Sequence, residues 1–151
     1  MKKHTLTLET NSHQETQALA FKLGNILDKG VLITLEGELA AGKTTFTQGL
    51  AKGLGVKAIV NSPTFVIMKE YEGRLPLIHI DAYRLEGITQ DLGFEDYLDN
   101  QHVIMIEWSD YLPSLNSYDR QHIKIQTLEN DRRLITLHFD SDLIEKLKEL
   151  L

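Results

Sequence analysis

VLITLEGELAAGKTTFTQGLAKGLG, residues 31–55, is the stretch on which the fold turns. Its first six residues, VLITLE, form a short apolar run of the kind that fills a strand covered on both faces. The run feeds directly into Gly37-Glu-Leu-Ala-Ala-Gly42-Lys43-Thr44, the full spacing of a phosphate-binding loop. Behind the loop, Phe46, Leu50 and Leu54 recur every four residues, which predicts a helix ending at Gly53 or Gly55. Strand, glycine loop and helix in that order are the context the motif requires.

Each residue type in the loop has a physical task. Backbone N–H groups must turn inward around negatively charged oxygens, and glycine allows both the backbone angles and the close approach. The helix that begins at Lys43 presents its positive end to the same oxygens. Lys43 brings a full charge to β- and γ-phosphates. Thr44 offers a hydroxyl to Mg²⁺, a cation that prefers hard oxygen ligands, and Thr45 is a candidate for an α-phosphate oxygen. The loop residues Gly37, Glu38, Leu39, Ala40, Ala41, Gly42, Lys43, Thr44 and Thr45 are therefore the expected nucleotide contacts.

Mg²⁺ also calls for a carboxylate, and ligands of such sheets lie at the C-terminal ends of the strands. LIHID ends at Asp81 and VIMIE ends at Glu107, both apolar strands closing on an acid. Glu107 is expected to hold Mg²⁺, directly or through water, and Asp81 to orient the metal's water or the attacking water; the two roles can be exchanged at this level. Trp108 follows at the rim, placed to stack on a base or to dock a partner. The turn Asn61-Ser-Pro-Thr64-Phe65 stands where a hydroxyl-bearing switch segment can sense a γ-phosphate, although a strand-initiating turn set by Pro63 reads equally well.

The rest of the chain supplies a frame. Lys3–Glu9 alternates as a strand, and Ser12-x-x-Glu15 is a capping box ahead of a helix through Leu27, with Gly30 as its stop. Residues 65–71 and 75–80 pair as strands around Glu72-Gly73-Arg74, and 91–98 form a short acidic helix. HIKIQTLE and RRLITLHF flank Asn130-Asp131 as a hairpin. The amphipathic tail 141–151 either packs on the sheet edge or docks a partner. The expected fold is a single α/β domain, residues 1–151, with a mixed parallel and antiparallel sheet flanked by helices.

Composition removes several function classes. The 151-residue chain has no cysteine, hence no disulfide framework or thiol nucleophile. It carries 22 acidic and 16 basic residues, a net charge of −6, without the positive field of a stand-alone nucleic-acid binder. The N-terminus does not read as a signal peptide and no run approaches a membrane span, so a cytoplasmic setting is expected. The guanine-reading Asn-Lys-x-Asp and the Asp-x-x-Gly of small GTPases are missing, as is an arginine-rich lid of a nucleotide kinase. A weak ATPase that works with partners fits this economy. A small-molecule kinase and a nucleotide-binding regulatory module without meaningful hydrolysis stay open on residues alone.

Gly37-Glu-Leu-Ala-Ala-Gly-Lys-Thr-Thr45, Ser62-Pro-Thr-Phe65, His79-Ile-Asp-Ala-Tyr-Arg-Leu85, Leu92-Gly-Phe-Glu95 and Ile106-Glu-Trp108 together resemble the bacterial TsaE (YjeE) family of P-loop ATPases. The likeness covers about residues 30–110 closely and the ends more loosely. It implies bound ATP and Mg²⁺, weak intrinsic hydrolysis, and action with the TsaD–TsaB pair in forming threonylcarbamoyladenosine in tRNA, with tRNA met only through that complex. It places Thr44 and Glu107 at the metal, Asp81 and Thr64 in the switch and hydrolysis region with Lys43, and the adenine near Thr10 to Ser12 and Arg132 or Arg133. The family's loop reads Gly-Asp-Leu-Gly-Ala-Gly-Lys-Thr-Thr, so Glu38 and Ala40 depart from it. A Cβ at residue 40 costs on the order of 1 kcal/mol if the loop needs a left-handed backbone there, which would weaken binding several-fold.

Overall fold

In the computed structural model, residues 2–38, 41–61, 68–82, 93–109, 115 and 117–151 are described. Seven strands and three α-helices follow one another along them. Strand β1 (Lys3–Thr10) and helix α1 (His13–Ile26) lead to β2 (Val31–Gly37), the phosphate loop and α2 (Lys43–Gly53). Strands β3 (Met68–Tyr71), β4 (Leu77–Asp81) and β5 (Val103–Glu107) come next, then β6 (Gln121–Thr127), β7 (Arg133–Asp140) and α3 (Ser141–Lys148). The acidic segment expected as a helix over 91–98 is a single 3-10 turn, Phe94–Tyr97; residues 91 and 92 lie outside the described set.

The strands form one sheet in the order β1-β7-β6-β2-β5-β4-β3. The four central strands β6, β2, β5 and β4 run parallel to one another, and β3, β7 and β1 are joined to the sheet by antiparallel pairing. Mixed connectivity follows from the chain: β3–β4 and β6–β7 are joined by short turns, which permit only antiparallel pairing. Asn130 sits at φ 60° in the second of those turns, as an asparagine readily does.

The central strands are apolar throughout because both faces are covered. Ile33, Leu35, Val103 and Met105 face a core built with Leu23, Phe46, Leu50 and Phe139. Leu32, Ile104, Ile106, Ile78 and Ile80 face a second core that includes Leu115. All three α-helices contribute to the first core, and Ile144 and Leu147 of α3 are buried in it, so the tail helix packs on the sheet. No helix among the described residues is long and apolar enough to cross a membrane.

Helices α1 and α2 meet through glycine. A Cβ at Gly24 would stand 2.3 Å from the Leu50 carbonyl, and one at Gly49 would stand 2.3 Å from the Gln17 carbonyl. Both obstacles are backbone, so nothing short of moving a helix relieves them. Gly49→Ala is expected to destabilise the fold by about 1–3 kcal/mol through overpacking, seen as a lower urea midpoint with an unchanged m value. At the other end of the pair, Arg74 donates to the carbonyls of Leu27 (2.7 Å), Gly24 (3.0 Å) and Gly53 (3.3 Å). One guanidinium thus closes the C-termini of both helices, where a cation also suits the helix dipoles.

Two expectations about caps need adjusting. Ser12 Oγ accepts from the Glu15 N–H at 3.1 Å, but the Glu15 carboxylate reaches the Asn11 N–H rather than that of Ser12. Gly30 does not stop α1, which has already ended at Ile26 with Leu27 as its cap. It is small because its N–H donates to Asn100 and a Cβ would lie 2.5 Å from the His102 carbonyl.

Candidate nucleotide site

Strand β2 lies between β6 and β5, and its chain leaves the sheet at Gly37 to form the loop that starts α2. Gly42 caps this helix at φ 102°, a left-handed conformation that glycine adopts without strain. The Phe46 N–H bonds back to the Gly42 carbonyl at 2.9 Å, so the helix begins at the loop itself. Gly37 is tight for another reason: a Cβ there would stand 3.0 Å from the Ile125 carbonyl. Leu39, Ala40 and the Ser62–Phe65 turn with Thr64 lie outside the described residues.

The two strand-end acids are neighbours. Asp81 pairs in register with Glu107, and Glu107 with Leu35, so both carboxylates sit at the same end of the sheet as the loop. Alternation turns them to the face that carries α2. Lys43, only 7% exposed, brings its Nζ to 3.9 Å from Glu107 Oε1 and to 4.1 Å from the centroid of the Trp108 ring. Burial pushes the Lys43 ammonium below the ordinary pKa of a lysine, while the charges of Glu107 and Asp81 pull the other way. A desolvated cation at the positive end of a helix is poorly satisfied by one distant carboxylate, and an anion arriving between loop and lysine would relieve it.

Glu107 has a second partner. His79 is fully buried and its Nε2–H donates to Glu107 Oε2 at 2.6 Å. That bond orients the carboxylate from behind, as imidazoles commonly do for groups that must be held in one direction. His79 Nδ1 has no hydrogen-bond partner among the described residues. Trp108 closes the site with φ 59°, a conformation that costs a bulky residue about 1–2 kcal/mol. Its side chain packs against the second core while its ring meets Lys43.

The remaining expected contacts stand along the rim toward β1. Thr10 is buried and shares a 2.6 Å hydrogen bond with Thr16, and Ser12 caps α1. Arg132 is exposed and pairs with Glu9. The residue that reaches the loop is its neighbour: Arg133 Nε donates to the Ala41 carbonyl at 2.9 Å. Beside the loop, a cavity of about 490 Å³ opens between the ends of β2 and β6, lined among others by Gly37, Glu38, Trp108, Lys124 and Thr127.

Thr44, Asp81 and Glu107 present a hydroxyl and two carboxylates, all hard oxygen donors. Among the described residues no group of three His, Cys, Asp or Glu side chains could cage a metal. That donor set suits Mg²⁺, which uses one or two carboxylates and completes its shell with water and phosphate.

A strand, glycine loop and helix at the centre of a sheet whose parallel strands end in acids define a P-loop α/β protein. The model of the family described as "Threonylcarbamoyl adenosine biosynthesis protein TsaE" matches residues 10–135, and the chain belongs to that family. It is 45% identical over 132 residues to the "tRNA threonylcarbamoyladenosine biosynthesis protein TsaE" of Bacillus subtilis, covering 87% of this chain and 84% of that one. The protein of the same name from Treponema pallidum is 36% identical over 130 residues, covering 85% and 96%. The crystal structure of Bacillus subtilis YdiB superposes with a TM-score of 0.83 at 35% identity, over 99% of this chain and 98% of that one.

Proposed function

We propose that this protein binds ATP with Mg²⁺ in the 37–45 loop, hydrolyses it weakly alone, and acts with TsaD and TsaB to form threonylcarbamoyladenosine in tRNA. The reading rests on one observation above the others: the buried Lys43 ammonium at the start of α2, beside the strand-end carboxylate Glu107 with Asp81 adjacent. Loop N–H groups from Gly37 to Thr45 surround the phosphates, and Lys43 meets the β/γ end. Thr44 and Glu107 would hold the metal, which when bound would supply positive charge to the phosphate oxygens. Asp81 accepts a hydrogen bond from the water that attacks the γ-phosphorus, as the bond to the β–γ bridging oxygen breaks and ADP leaves. Thr64 takes the switch position. Thr10, Ser12, Trp108 and Arg132 are assigned to the nucleoside side of the site.

Coupling to partners is supported by family membership and by the net charge of −6, which favours protein partners over direct contact with tRNA in the cytoplasm. The test is the ATPase rate of the purified chain, alone and mixed with TsaD and TsaB, together with co-purification in the presence and absence of ATP. Association with a stimulated rate is expected. Absence of both would reject the partner-coupled function while leaving nucleotide binding to stand or fall separately.

A further inference from the structure

Strand β4 is the apolar run Leu77-Ile-His-Ile-Asp81, and its middle residue is a histidine. Of the chain's six histidines only His79 is buried, and it has no exposed surface. Its Nε2–H donates to Glu107 Oε2 at 2.6 Å, while its Nδ1 meets no partner among the described residues. A buried polar atom left without a partner is unfavourable. An aliphatic side chain, such as those of Leu77, Ile78 and Ile80 in the same strand, would fill the core without that cost. The imidazole is therefore explained by what Nε2 does and not by packing.

Register shows how the bond is made. His79 pairs with Met105 and Asp81 with Glu107, so His79 and Glu107 are diagonal neighbours on one face of β4 and β5. A ring and a long carboxylate side chain can span that diagonal. The bond divides the two oxygens of Glu107. Oε2 is turned back toward the ring. Oε1 is on the side of the lysine that opens α2, 3.9 Å from Lys43 Nζ and so beyond hydrogen-bond reach of it. A carboxylate held in this way can offer a cation one oxygen and not two. Divalent ions differ in what they need from it. Mg²⁺ takes single oxygens in an octahedral shell completed by water and phosphate, whereas Ca²⁺ takes more oxygens and often both of one carboxylate.

We infer that His79 is a positioning residue that occupies Glu107 Oε2 and leaves Oε1 alone for the metal, so that the site favours Mg²⁺ over Ca²⁺. His79 touches neither nucleotide nor metal in this scheme and acts only through Glu107. The inference rests on the proposed ATP site with Thr44 and Glu107 at the metal.

The experiment is calorimetric titration of ATP, with Mg²⁺ and separately with Ca²⁺, into wild type, His79→Leu and His79→Gln. The wild type should bind ATP more tightly with Mg²⁺. In His79→Leu the ratio of the two Kd values should fall about threefold or more, a part of the roughly 10–100-fold that losing such a partner can cost a metal site. His79→Gln should keep most of the preference, because its amide N–H can donate to the same oxygen. A merely structural histidine would lower the melting temperature and leave the ratio unchanged, and that result would overturn the inference. So would equal affinity with both ions in the wild type, or a preference lost equally in both variants. A second measurement needs no variant: the ring N–H of His79, followed by nuclear magnetic resonance in ¹⁵N-histidine-labelled wild type, should stay protected from solvent exchange when Mg²⁺ and ATP are added. Its loss would mean that Glu107 turns both oxygens to the metal, which also overturns the inference. Failure of the wild type to bind ATP with either ion would instead reject the ATP site on which the inference stands.

Discussion

Lys43→Ala is expected to weaken ATP binding about 100-fold while leaving the ligand-free protein at least as stable as wild type. The two halves have one cause. Burial already disfavours the Lys43 ammonium, and Glu107 at 3.9 Å compensates only in part. In the free protein the side chain is held at a loss, and removing it relieves that loss. With ATP present the same charge gains direct contact with phosphate oxygens, worth roughly 1.5–3 kcal/mol for a charged hydrogen bond and more when water is excluded. Calorimetric titration gives the affinity and a thermal melt gives the stability. A variant that melts well below wild type and binds ATP normally would mean that Lys43 is structural.

Glu107→Gln is expected to separate binding from hydrolysis. The amide keeps the volume and an oxygen to face His79 Nε2, 2.6 Å away in the parent, but removes the negative charge from the metal position. ATP affinity should change by only a few-fold, whereas hydrolysis, measured with TsaD and TsaB present, should fall about 100-fold or more. Loss of one preorganised electrostatic group commonly costs about 2.7–4 kcal/mol of transition-state stabilisation. Glu107→Ala is a poorer tool, because it strands the buried His79 and leaves Lys43 without its carboxylate, so instability and lost catalysis would arrive together. Unchanged hydrolysis in Glu107→Gln would move the metal-binding role to Asp81.

Much of this site was legible because its chemistry leaves local marks. A glycine loop must be contiguous, and a parallel strand covered on both faces must read as an apolar run, so β2, β4 and β5 and their terminal acids stand out in the sequence. Strand order leaves no such mark: β2 takes its neighbours β5 and β6 from the far half of the chain, and only the folded sheet makes Asp81 and Glu107 adjacent. His79 stands inside an apolar strand with no local mark, and its bond to Glu107 shows only when β4 and β5 lie side by side. Arg132 and Arg133 are alike in sequence, yet Arg132, in the turn before β7, pairs with Glu9 and Arg133, which opens β7, reaches the loop. Gly30 reads as a helix stop by position, yet the reason for glycine is the backbone of residues 100–102 pressed against it. The same holds for Arg74, whose capping of two helices depends on a tertiary approach that no local pattern encodes.

Terminal phosphates are expected to draw the Lys43 ammonium away from the Trp108 ring, over which it lies at 4.1 Å. Trp108 is the chain's sole tryptophan, so its emission reports nucleotide arriving at this site. The most direct measurement is tryptophan fluorescence of the wild-type chain during titration with ATP and Mg²⁺. A saturable change reaching its end point at one nucleotide per chain, and absent in Lys43→Ala, is the predicted result. Emission that stays constant up to millimolar ATP would contradict the assignment of this loop as the ATP site.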